Sequence, residues 1–136
     1  MNRRFGRGIP GTAICISILL AACAIPVRQI HLDQPLERLS GKTFTLSSNA
    51  DFYIGTGYSR TLKQGTTWEL YGRIGEGEVC RSPGQTLTVE GYNIHEAYPV
   101  VKDANLVGVY LPVEKTFTPV SKNVLLAINS MKGVQE

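Results

Sequence analysis

Long apolar runs, histidines and pairable cysteines are what this chain of 136 residues has least of. Its longest apolar stretch, Ala13 to Ala22, is about half of the 20 or so residues that a spanning helix requires. Pro10 and Gly11 stand just before that stretch and disfavour its extension backwards. Only His31 and His95 could offer imidazole to a metal, and neither has a second ligand at a supportive spacing, so no metal site is expected. Gly55-Thr56-Gly57 lacks the further glycine and the helix onset of a dinucleotide-binding turn, so no cofactor is expected either.

What is present begins with the first 23 residues. Arg3, Arg4 and Arg7 precede the apolar stretch, and it ends in the small residues Ala21 and Ala22, which is the build of a secretory leader. Leu20-Ala21-Ala22-Cys23 resembles the lipobox of bacterial lipoproteins. The resemblance implies cleavage between Ala22 and Cys23, with fatty acyl chains on Cys23 as the membrane anchor. Two such chains give stable attachment at about 0.8 kcal/mol per buried methylene. An ordinary cleaved leader with an incidental cysteine is the alternative. Ala24 stands where an aspartate would favour inner-membrane retention, so the family rule points to the periplasmic side of the outer membrane.

Removing the leader changes the charge. The formal net charge of +3 is carried by the three leader arginines, and the remaining 11 Lys and Arg balance 11 Asp and Glu. A neutral domain gives no electrostatic case for nucleic acid or for a polybasic lipid patch. Cys15 leaves with the leader and Cys23 is consumed by lipid, so Cys80 has no partner within the chain. The expected organisation is a leader over 1–22, a lipidated N-terminus and tether over 23–41, one β domain over 42–130 and a frayed tail over 131–136. Asp33 to Gly41 could hold one helical turn within the tether.

Turn signals every 8 to 12 residues, with almost no helical periodicity, mark the mature chain as all-β. Phe44 and Leu46 share one face of a strand, as do Trp68, Leu70 and Ile74, and Leu87 and Val89. Gly57 to Gly65 reads as a polar loop, while Ser82-Pro83-Gly84-Gln85 is a strong turn. Leu106 to Leu111 is apolar on both faces and suits a central strand. Many short strands joined by hairpins predict a small antiparallel barrel, SH3-like or related and partly open, or else a two-sheet sandwich.

Reactive side chains are few. Cys80, His95 and Glu96 could form a nucleophilic site only if the fold brought them together, and none lies in a nucleophile motif. A packed, inert thiol is the expected state of Cys80. In His95-Glu96-Ala97-Tyr98-Pro99, strict alternation forces one ionisable group to accompany apolar neighbours. Pro99 cannot donate to a ladder, so an edge or a bulge is expected there. His95, Glu96 and Tyr98 are therefore a candidate edge for receiving a partner's strand. Tyr58 and Tyr92, in predicted connections, are candidate contact anchors.

Together these features predict a non-enzymatic, membrane-anchored lipoprotein: a binding or structural module with a protein partner in the cell envelope, accessory to an envelope complex. The alternative is a periplasmic inhibitor or immunity lipoprotein that blocks a lytic enzyme or effector.

Overall fold

Period-two burial runs through most of the chain, and that is why it folds as sheet. The computed structural model describes residues 25–133; the expected lipidation site, with Ala22 and Cys23, lies outside the described residues. Among the described residues there are thirteen strands and no helix: β1 Ile30–His31, β2 Glu37–Arg38, β3 Lys42–Leu46, β4 Ala50–Tyr53, β5 Ser59–Leu62, β6 Thr67–Ile74, β7 Gly77–Arg81, β8 Thr88–Glu90, β9 Ile94–Glu96, β10 Tyr98–Lys102, β11 Asn105–Leu111, β12 Thr116–Leu125 and β13 Ile128–Gly133.

The main sheet runs β1-β12-β11-β10-β7-β6-β3-β13, antiparallel throughout, with β2 also paired to β6. Hairpins β4–β5 and β8–β9 form two small sheets beside it. One covalent fact sets the overall shape. β12 and β13 lie towards opposite ends of the sheet, yet only Leu126 and Ala127 separate them. Leu125 pairs with Asn105 while Ile128 pairs with Leu46, and three chain steps span no more than about 11 Å. The sheet must therefore curl until its ends nearly meet. The result is an unclosed antiparallel architecture, consistent with the partly open barrel or two-sheet sandwich that the turn spacing predicts.

Two apolar clusters lie on either side of the curled sheet. Phe44, Leu46, Phe52, Trp68, Cys80, Val89, Leu106, Val109 and Leu111 belong to the larger cluster. Ile74, Val79, Val100, Tyr110 and Phe117 form the second, covered by Ile30, Leu32 and Leu36. Strict alternation would put Trp68, Leu70 and Ile74 on one face. A bulge between Leu70 and Gly72 inserts Tyr71 and moves Ile74 to the second cluster. Leu106 to Leu111 falls within β11, which is interior to the sheet and pairs with both β10 and β12. Asp103 and Ala104 join β10 to β11 with φ of 50° and 63°, the left-handed pair that a two-residue hairpin needs.

Several segments differ from their sequence-based expectation. The segment expected to be a tether lies on the domain from residue 25 onward. Val27 is buried, β1 pairs with β12, and the Thr118 hydroxyl donates to the Arg28 carbonyl at 2.6 Å. Asp33 to Gly41 holds no helical turn, because β2 and Leu39 take their hydrogen bonds from β6 instead. Residues 57–65 are not simply a loop. Ser59–Leu62 forms β5, whose Thr61 hydroxyl donates to Asp51 on β4. Met131 to Gly133 is not frayed backbone, since it pairs with Phe44 to Lys42. Each of these segments takes up backbone pairing with another strand, a partner that its local composition does not record.

Candidate functional site

The strand carrying His95, Glu96 and Tyr98 is split at Ala97. Its first half pairs with β8, and its second half becomes β10 in the interior of the main sheet. His95 and Glu96 therefore lie on a strand paired on one side, with β8, and Tyr98 pairs with Tyr110 of β11 and not with β7. Pro99 is fully buried without cost to the ladder, because β7 pairs with β10 only from Val100 onward. The expected irregularity does occur next to it, as a register shift between Val100 and Val101 opposite β11.

The conflict between His95 and Glu96 is resolved by burying the histidine. His95 is only 8% exposed, and its Nδ1 lies 2.6 Å from Oε1 of Glu114 in the β11–β12 turn. Glu114 keeps its other carboxylate oxygen buried and without a partner among the described residues. This pair closes the turn against β9 rather than facing outward.

Cys80, His95 and Glu96 do not assemble a nucleophilic relay. The thiol is 3% exposed, and its polar neighbour is the Glu78 carbonyl at 4.0 Å, while the imidazole is held by Glu114. Burial, with the negative charge of Glu78, pushes the thiol from an ordinary 9.0 up to about 12. A nucleophilic cysteine requires a shift in the opposite direction.

Tyr98 and Glu96 instead join a group that sequence inspection did not bring together. Tyr71 on β6, Arg81 on β7, Tyr98 on β10 and Tyr110 on β11 succeed one another across neighbouring strands, with Arg38 of β2 above them. The Tyr71 and Tyr98 rings meet edge to face with centroids 4.9 Å apart, and Tyr98 lies 6.5 Å from Tyr110. The Arg38 guanidinium sits 3.7 Å over the Tyr71 ring, and that of Arg81 lies 5.2 Å from the same ring. The bulge at Tyr71 makes this possible, since it turns that side chain out beside Tyr98. A bulge has no composition of its own, so only the register reveals it.

Electrostatics keep this face protonated. Burial raises the Tyr98 phenol, the charge of Glu96 adds to the rise, and a hydrogen bond from Arg81 partly opposes it. Tyr110 is raised by burial and then by the neighbouring phenols. Arg81 is held charged first by its hydrogen bond to Glu69, 3.3 Å away, and then by Tyr98. The face thus presents phenolic donors, aromatic planes and two guanidinium groups, the composition that dominates protein-binding hot spots. Tyr71, Arg81, Glu96 and Tyr98 are half-buried and Arg38 is exposed, so a partner can reach them.

A second feature is a cavity of about 430 Å³ lined by Phe44, Leu70, Ile74, Cys80, Val101 and Ile128. Lys42, Arg73 and Lys102 also border it, the first two each 3.7 Å from Glu78. Its size would admit a small ligand. Its walls are largely apolar, with Lys42, Arg73, Glu78, Lys102 and Asp103 as the charged groups along its border.

Comparison of the chain with protein-family models, with curated proteins and with solved structures finds no match.

Proposed function

We propose that this chain is a lipid-anchored binding module of the bacterial envelope. Acyl chains on Cys23 hold it at the periplasmic side of the outer membrane, and it grips a protein partner without catalysing a reaction. Leu20-Ala21-Ala22-Cys23 supports the anchor. The tyrosine–arginine face supports the grip, and it is the observation that carries this function. The half-buried Tyr71 and Tyr98, with Arg38 and Arg81 over the Tyr71 ring and the buried Tyr110 beside Tyr98, form a preorganised surface: the side chains are ordered before any partner arrives.

The raised thiol of Cys80 and the internal pairing of His95 favour binding over nucleophilic chemistry. The test has two parts. Mass spectrometry of protein purified from the cell should find an acylated cysteine at position 23. Affinity capture from native envelopes should then return a partner that is lost from the Arg38→Ala, Tyr98→Ala double variant. An identical set of captured proteins from parent and variant would remove this face from the proposal.

A further inference from the structure

The segment after the expected anchor does not hang free, and this decides where the membrane must lie. At Gly91, in the tip of the β8–β9 hairpin, a Cβ would stand 2.7 Å from the Ile25 carbonyl oxygen and 2.8 Å from the Val27 nitrogen. Only glycine allows that approach, so the backbone of 25–27 is packed directly onto the hairpin tip. Val27 and Val89 are both buried in the larger core, which secures the contact from below. The Thr56 hydroxyl donates to the Glu90 carbonyl at 3.3 Å and braces the hairpin from the β4–β5 side.

That tip carries large apolar side chains turned outward. Tyr92 is 72% exposed and Ile94 is 69% exposed, while Ile25 beside them is 58% exposed. Neighbouring Arg28 and Glu90 are exposed and of opposite sign, so neither charge dominates the patch. Cys23 precedes Ile25 by two chain steps, which reach no further than about 7 Å. An acyl group on Cys23 thus brings the bilayer surface to this same patch.

We propose that the β8–β9 hairpin tip, with Ile25, Tyr92 and Ile94, docks into the headgroup layer of the bilayer beside the anchor and orients the domain. Interfacial residues of this kind enter about 5–10 Å below the surface, a depth the hairpin tip can reach from its position beside Ile25. Tyrosine is suited to that layer because its ring is apolar and its hydroxyl stays hydrated. The occupant of the patch is therefore lipid, not a second protein. This inference rests on the lipoprotein reading above and adds an orientation to it.

The test uses the mature acylated protein in phosphatidylethanolamine–phosphatidylglycerol vesicles containing lipids brominated near the headgroup. A fluorophore is placed on Asn93→Cys at the tip and, separately, on Gln64→Cys, at the far end of the β4–β5 hairpin from Thr56. The buried Cys80 thiol, pushed up to about 12, leaves the introduced cysteine as the reactive one. The label at position 93 should be quenched severalfold more than the label at 64. Adding Tyr92→Ser and Ile94→Ser, both at exposed sites, should abolish that excess while the protein remains with the vesicles. Equal quenching at the two positions, with the acyl groups intact by mass, overturns the docking alone. An unmodified amino terminus overturns docking and anchor together.

Discussion

The buried Cys80 thiol should make a separable contribution to the loss of stability at alkaline pH. Cys80 is 3% exposed, and its burial, reinforced by Glu78, raises it from an ordinary 9.0 to about 12. An unfolded chain releases this proton near its ordinary value, whereas the folded chain retains it. Below about pH 9 both states bind the proton and the thiol makes no pH-dependent contribution. Above that value the unfolded state binds fewer protons, so stability falls by about 1.4 kcal/mol per pH unit until the folded value is passed. Between pH 8 and pH 10.5 the loss should be about 2 kcal/mol. The assay is urea unfolding of the mature chain with Cys23→Ser, with and without Cys80→Ala, at those two pH values. Tyrosine and lysine contributions are common to both proteins, so the difference between them isolates Cys80. The stability advantage of the parent over the alanine variant should shrink by that amount at high pH. A constant difference, or prompt reaction of the folded protein with a disulfide reagent at pH 8, would refute the burial argument.

Three further outcomes follow from other contacts. Gly72→Ala places a Cβ 2.6 Å from the Glu37 carbonyl and 2.7 Å from the Leu36 side chain, where β2 lies across β6. It should cost about 1–3 kcal/mol and speed amide exchange selectively at 36–39, measurable by mass spectrometry. Ala104→Gly relieves a non-glycine residue at φ 63° in the β10–β11 turn, and should stabilise by up to about 1 kcal/mol in chemical denaturation. Glu114→Ala strips the buried His95 of its partner at 2.6 Å, and a loss of about 1–3 kcal/mol is expected from thermal unfolding at neutral pH. If stability is unchanged, the pair does not hold the turn against β9.

The all-β class was legible because alternation is local: Phe44 with Leu46, and Leu87 with Val89, reveal their buried faces to anyone counting by two. The central position of Leu106 to Leu111 was equally plain, since a strand covered on both faces must be apolar on both. The need for one buried ionisable group around His95 could be counted in the same way. Its identity could not, because it depended on Glu114 in a turn nineteen residues away. Nor could the tyrosine–arginine face be counted out. Its members stand on five strands, and an inserted residue at Tyr71 sets one of them in place.

Strand content was determined by the amino-acid order alone, because period-two alternation depends on residues close in the chain. Tertiary structure decided where residues 25–41 lie, which strand hosts Pro99, and what surrounds Cys80. Those outcomes depend on unpaired backbone meeting an open sheet edge across 30 to 90 residues, and no local pattern encodes that meeting.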